Sequence, residues 1–357
     1  MPKKKRVIVA MSGGVDSSVT AALLREKDFE VVGVTLDLRV EKDIKSPVSS
    51  CCGLDAIKSA ERVAHKLGIR HYVLNLRRQF EQTVVQDFIS EYSRGRTPNP
   101  CVRCNQLVKF GNLFQKLDEL DADFLATGHY ARIFFNQKNE NYELFRGMDP
   151  VKDQSYFLWP LTQEVLARTL MPLGDLEKRK VRQMAVSYKL AAAQRPESQE
   201  ICFVPDQDYI GFVRERNPEA FQRGPIQDSS GRRLGEHEGL PAFTIGQKRR
   251  LKLKVPEVHY VIRINAEENV LVVGKESDLS RKFMTVEGIN WIRGDGSPGV
   301  FVGRIKIRSQ QAPAEAVIRG FADRAEVEFM EKQRAVAPGQ SAVFYRGEEV
   351  IGGGIIK

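Results

Sequence analysis

The residues best equipped to do chemistry are thiols. Cys101 and Cys104 are spaced Cys-x2-Cys in "GRTPNPCVRCNQLVKFG", just after Pro98 and Pro100, and Cys202 lies far along the chain in "ESQEICFVP". The prolines restrict the backbone ahead of the first thiol, which suits a loop that holds reactive sulfur in one place. On its own a Cys-x2-Cys is half a zinc site, a redox pair or two inert buried side chains. Cys51 and Cys52 form an adjacent pair for which inert burial is an equal alternative. The second chemical feature is "VIVAMSGGVDSSVTAALL", where an apolar run meets Ser12, Gly13 and Gly14, then Asp16, Ser17 and Ser18, then a second apolar run. A strand that ends in glycines and leads into a helix is an anion site, because backbone approaches the ligand and the helix start supplies N–H groups and positive dipole character. Gly13 and Gly14 leave a phosphate the room of a side chain, with Ser12, Ser17 and Ser18 as hydroxyl donors. No Walker-type lysine follows, which excludes the kinase and GTPase form of phosphate loop.

These groups need a scaffold. Short β-branched runs at 7–11, 31–36, 71–76 and 124–127 alternate with amphipathic stretches, the pattern of a parallel sheet covered on both faces. Phe80, Val84, Val85, Phe88, Ile89 and Tyr92 recur at helical spacing, as do Ala60, Val63, Ala64 and Leu67, and both stripes read as core. "ARIFFNQKNENYELFRG" predicts a hairpin decorating that sheet. Helices are expected over 164–171 and 176–190, the second capped by Asp175. Past Val204 the texture turns to Gly, Pro and short β-rich segments, and from Phe283 short strands recur at barrel-like intervals. The expected division is 1–204, an α/β catalytic domain with a Rossmann-like parallel sheet; 205–282, a small β-rich central domain; and 283–357, a C-terminal β-barrel.

Composition narrows the partner. Lys and Arg number 55 against 46 Asp and Glu, a net +9 that favours a polyanion, nucleic acid first. "MPKKKRV" runs straight into a buried strand and reads as a solvated lead-in, not an import signal, and no apolar stretch reaches membrane-spanning length. Five cysteines without an export signal fit a reducing compartment, so a cytoplasmic address is expected, with no membrane partner.

"AMSGGVDSS" after a first strand resembles the pyrophosphate loop of the ATP pyrophosphatase superfamily, whose members split ATP between the α and β phosphates to adenylate a substrate. With "GRTPNPCVRCN", "ATGHYAR", "KDQSYFL", "ICFV", "TIGQKR" and "APGQSAVFY" in that order, nearly the whole chain resembles the bacterial and organellar tRNA-specific 2-thiouridylases, which place sulfur at position 2 of the wobble uridine. The resemblance implies ATP and Mg²⁺ as cofactors, tRNA as partner, and a sulfur donor such as a cysteine desulfurase, a sulfur carrier or free sulfide. It implies nucleotide contacts at Ala10, Met11, Ser12, Gly13, Gly14, Val15, Asp16 and Ser17, at the Leu36 backbone and at Gly128. It assigns the nucleophile to Cys104 and the persulfide to Cys202, target-base contacts to Asn99, Pro100 and Cys101, and further tRNA contacts to His129, Lys152, Asp153, Gln154, Arg308, Ser309 and Gln340. For His129 the plainer alternative is a hydrogen-bonded histidine at a strand end. Where well-known members carry aspartate two residues after the asparagine, this chain carries Cys101. Cys101, Cys104 and Cys202 could then converge on a [4Fe-4S] cluster with one iron open to sulfide, or Cys104 and Cys202 could run a metal-free persulfide relay that closes a disulfide between them. Arg103 is a candidate to favour the Cys104 thiolate. Two rival readings stand: another adenylating tRNA-modifying ligase on the same loop, and a non-catalytic, metal-stabilised RNA-binding protein.

Overall fold

The computed structural model describes residues 4–40, 53–195, 201–253, 255, 257–294 and 296–357. Cys51 and Cys52 lie outside the described residues. Strands β1 (Arg6–Ala10), β2 (Glu30–Asp37), β3 (Arg70–Asn75) and β4 (Phe124–Ala126) are all parallel, in the order β3-β2-β1-β4. Alternation along β1 sends Val7 and Val9 to one face, with helix α1 (Val15–Glu26) and helix α2 (Leu54–Leu67), and Ile8 to the other, with Phe80, Val84 and Phe88. α2 buries Ala56, Ala60, Val63, Ala64 and Leu67 as one stripe and stops at Gly68, whose φ of 62° suits glycine. The turns after β1 and β4 leave the same, C-terminal edge of the sheet, at the point where the chain switches from building leftward to building rightward. Ligands of open α/β sheets bind at such a point.

Three local expectations are corrected. The hairpin forms, as β5 (Ala131–Asn136) and β6 (Asn141–Arg146), but it pairs with the C-terminal barrel and not with the parallel sheet. The position beside β4 is taken by β7 (Thr169–Leu170), which lies inside the expected helix 164–171. The actual helix there is Gln163–Ala167, capped by the Thr162 side chain. Its carboxyl end turns at once into sheet, and the Leu125 and Thr127 amides find the Arg168 and Leu170 carbonyls. Satisfying β4's open edge outweighed continued helical periodicity. The next helix begins at Lys178, and Asp175 does not cap it; the carboxylate of Asp149, from a distant loop, accepts the Lys178 N–H at 3.0 Å.

Strands β8 (Gly224–Gln227), β9 (Arg233–His237), β10 (Tyr260–Asn265) and β11 (Val270–Gly274) form the central sheet, in the order β10-β11-β8-β9, around Ile226, Phe243, Val261 and Leu271. The barrel runs β12 (Ser280–Trp291), β13 (Val300–Lys306), β14 (Ala314–Gly320), β15 (Arg324–Arg334), β16 (Ser341–Arg346) and β17 (Glu349–Ile356), and β12 pairing with β17 closes it. β17 shares one edge between two partners: Gly352 to Ile356 meet β12, while Glu349 and Val350 meet β6. Catalytic domain and barrel are therefore joined by main-chain hydrogen bonds as well as by packing.

Candidate active site

The turn after β1 has the form expected of an anion site. Gly14 precedes α1 in an extended conformation with no side chain capping the helix start, so the first-turn N–H groups of α1 face outward from the sheet edge. Ser12 is exposed, and its N–H and hydroxyl meet the Ser17 hydroxyl at 3.2 and 3.4 Å. The two glycines have different reasons to be there. Gly13 has φ of 70°, and a Cβ there would sit 2.2 Å from the Ala56 carbonyl oxygen, so close approach of α2 demands it, not phosphate room. Around Gly14 a Cβ would meet only the Ser12 hydroxyl, at 3.5 Å, which leaves the expected space. The Ser18 hydroxyl is turned inward to the Gly14 carbonyl at 2.8 Å, so it is not a phosphate donor here. Gly128 lies against the start of α1, where a Cβ would come within 2.9 Å of the Ser17 nitrogen. Ala10 ends β1, Met11 is buried with its N–H on the Val34 carbonyl, and Leu36 lies near the same end of β2.

Sequence reasoning missed the partners of this loop. The Asp16 carboxylate accepts Lys178 Nζ at 2.7 and 2.8 Å and the Tyr130 hydroxyl at 2.8 Å. Lys178 stands in a run, "KRK", that reads as a solvated face, and only its burial distinguishes it. Arg195 donates to the Gly13 and Asp55 carbonyls at 3.2 and 3.3 Å.

The thiol loop is fixed from both sides. Asn99 caps a short helix, Pro100–Arg103, by accepting the Val102 N–H, and a wide π-turn stretch, Cys104–Asn112, continues it. Such wide turns recur at functional sites. Cys101 is exposed, Cys104 buried and Cys202 half-buried. Cys104 belongs to the large apolar cluster with Phe80, Phe88 and Leu36, and Cys202 packs against that same cluster. Phe203, beside Cys202, meets Phe80 and Phe88 edge-on at 5.4 and 5.2 Å. Arg103 is committed to Asp87 at 3.4 Å and to Gln106, which weakens its candidacy as the group that ionises Cys104. Burial raises the Asp87 carboxyl above its usual range, and Arg103 opposes that rise. Among the described residues no three His, Cys, Asp or Glu side chains come together as a metal-ligand set. Cys101, Cys104 and Cys202 are all described and are not gathered as such a set in this arrangement.

The remaining expected residues divide. His129 is a buried, hydrogen-bonded histidine: Nδ1 meets the Thr127 hydroxyl at 2.8 Å, and burial holds its pKa well below 6.5. Asp153 is fully occupied by Arg146, at 2.9 Å, and by the Gly147 and Ser155 amides, and Gln154 accepts the Tyr130 N–H. Lys152 is half-buried beside them. Arg308, half-buried, donates to the Ala335 carbonyl at 3.0 Å, and Ser309, which follows it, is half-buried too. Gln340 donates to the Thr97 and Pro98 carbonyls at 3.1 and 3.0 Å, so a barrel side chain holds the thiol loop.

Three family models match in succession: a tRNA methyl transferase HUP domain over residues 5–206, a tRNA methyl transferase PRC-barrel domain over 210–275, and an aminomethyltransferase beta-barrel domain over 281–356. The chain is 47% identical to a tRNA-specific 2-thiouridylase of Carboxydothermus hydrogenoformans, over 99% of this chain and 98% of the relative. It is also 47% identical to one of Heliobacterium modesticaldum, over 99% of this chain and 92% of the relative.

Proposed function

The chain belongs to the tRNA-specific 2-thiouridylase family, an enzyme family of ATP-dependent tRNA thiolation, and we propose that it thiolates position 2 of the wobble uridine through Cys104 and Cys202. ATP binds at the Ser12 to Ser17 turn. The uridine C2 oxygen attacks the α phosphate and pyrophosphate leaves, with the α1 amides balancing the charge; Mg²⁺, when bound with ATP, would add to that neutralisation. The terminal sulfur of a Cys202 persulfide, loaded by a sulfur donor, attacks C2 and expels AMP. The Cys104 thiolate attacks Cys202 Sγ, which frees the sulfur to the base as C=S and leaves a Cys104–Cys202 disulfide for an external thiol to reduce. No step runs through an iron-sulfur cluster. The flipped base lies beside Asn99, Pro100 and Cys101, with tRNA held by phosphate contacts from Lys and Arg. Such a substrate suits a cytoplasmic enzyme.

One observation carries the reading: Cys104 and Cys202, distant in sequence, share an apolar cluster that also holds Leu36 and packs against Ala10, at the nucleotide edge of the sheet. The test is mass analysis of wobble-uridine nucleosides after reaction of tRNA with ATP and a persulfide donor. Cys104→Ala and Cys202→Ala are expected to give no 2-thiouridine while tRNA-dependent pyrophosphate release continues. Thiolation at the normal rate in either variant overturns the relay. A methylated nucleoside in place of a thiolated one favours the activity that two of the family models are named for.

A further inference from the structure

A cleft of about 540 Å³ lies where the central domain meets the catalytic domain, lined by Tyr209, Ala242, Gln247, Lys248, Arg249 and Arg250. The three consecutive cations are all exposed. Their turn is built with unusual care for a surface loop. The Gln247 carboxamide accepts the Thr244 N–H at 3.2 Å and donates to the Ala242 and Arg249 carbonyls at 3.3 and 2.9 Å, and its backbone pairs with Val261. Arg250 is held at φ of 71° and Lys252 at 48°, on either side of buried Leu251. A non-glycine residue in the left-handed region costs on the order of 1 kcal/mol and persists only where surrounding structure over-determines it. Nearby acid is already engaged: Asp208 accepts the Gly211 N–H as a helix cap, and Glu238 faces Lys252 at 3.4 Å.

The turn is also joined to the thiol loop. Arg308 reaches the Ile245 carbonyl at 3.5 Å, two residues before Gln247. Tyr209, which lines the same cleft, stacks on Tyr92 at 4.6 Å, a few residues before the thiol loop.

Resting on the tRNA reading above, we infer that Lys248, Arg249 and Arg250 form a preorganised phosphate site that grips the RNA backbone beside the target nucleotide. The cations face solvent in a concave, rigid turn, and a polyanion is the ligand that such a turn attracts.

The experiment is equilibrium binding of unmodified tRNA transcript across a KCl series, with ATP affinity as a control for the folded catalytic domain. Replacing all three cations by Gln is expected to weaken tRNA binding at least tenfold near 0.1 M salt. The log-log salt slope should flatten by about 0.7 to 0.9 for each phosphate that the variant no longer neutralises. ATP affinity and single-turnover thiolation at saturating tRNA should stay as in the parent protein. Arg250→Gly separates charge from fold, because glycine accepts the backbone conformation without strain. It is expected to leave the melting temperature unchanged or raised while weakening tRNA binding severalfold. Parental affinity and slope in both variants overturn the phosphate site. If the parent protein binds no tRNA, the reading beneath it fails instead, and the two failures are distinct.

Discussion

His129 is packed against Phe110 and hydrogen-bonded to Thr127, and burial, with Lys109 adding a smaller push, keeps its imidazole neutral well below pH 6.5. The unfolded chain takes up a proton near 6.5 that the folded chain refuses, so stability falls as pH drops through 6.5 and levels off only below the folded pKa. His129→Gln should remove up to one proton from that dependence, at most about 1.4 kcal/mol per pH unit. Urea titrations between pH 7 and 5 measure it; His71 and His237, also lowered by burial, leave a residual slope. An unchanged slope would mean that His129 protonates in the folded state. Lys178 offers a second measurement. Its side chain is 10% exposed and pairs with Asp16 at 31%, so Lys178→Met should cost about 2 kcal/mol, less than breaking a fully buried pair because Asp16 keeps part of its solvation. Adding Asp16→Asn should recover part of that loss, and a double-mutant cycle with coupling below about 0.5 kcal/mol would refute the pairing. At this scale the glycine turn between β1 and α1 was legible, though Gly13 serves the approach of α2, and the thiols stood out by residue type alone. Lys178 and Tyr130 were not legible, because what gives them a role is burial beside a carboxylate more than a hundred residues away, and no local pattern encodes that.

The thiol loop and its neighbours meet the barrel through a small set of hydrogen bonds. Thr97 N–H donates to the Pro338 carbonyl at 2.8 Å, Gln340 donates to Thr97 and Pro98, and Tyr156 donates its hydroxyl to the Ser341 carbonyl at 2.9 Å. Gly339 sits at φ of 91°, and a Cβ there would come within 2.9 Å of both Thr97 nitrogen and oxygen. Gly339→Ala should push the loop away from the barrel, cost about 1 to 3 kcal/mol in strain, and slow single-turnover thiolation more than tenfold while ATP affinity holds. Gln340→Ala, which removes two hydrogen bonds worth about 1 kcal/mol each, should do the same more mildly. If Gln340 serves only as an RNA contact, the variant will raise the Kd for tRNA and leave the rate at saturation untouched. Strands β1 and β2 were readable because they are largely β-branched runs buried on both faces or nearly so, whereas β4 is a short apolar run and β3, an edge strand, is mostly exposed and shows itself only by its Tyr-Val-Leu stretch. β7 has two residues and no periodicity to read. The hairpin was visible as a hairpin, yet its partner strand lies some two hundred residues on, so local alternation could not say which sheet it joins.

Across the whole molecule, the catalytic domain and the barrel share an interior. Trp159, buried in the catalytic domain, donates to the Ser341 hydroxyl at 3.1 Å, and Gly353 of β17 is so close that a Cβ would overlap its ring. Asn290 of β12 donates to the Trp159 and Leu161 carbonyls at 2.6 and 2.9 Å. The other tryptophan, Trp291, stacks on Phe344 at 5.5 Å inside the barrel and donates to the Phe321 carbonyl. The chain has 2 tryptophans, so each single Phe variant turns fluorescence into a report on one place. Trp291→Phe leaves Trp159 at the junction, and Trp159→Phe leaves Trp291 in the barrel. Domains joined by a small polar interface unfold separately, whereas a shared strand edge and core make one cooperative unit. The two variants, each without one hydrogen bond of about 1 kcal/mol, should therefore show coincident urea midpoints. A barrel that melts well apart from the junction would mean that the contacts between β17, β6 and Trp159 are too weak to tie the barrel to the thiol loop, and the slower rates expected for Gly339→Ala and Gln340→Ala would then lack their cause.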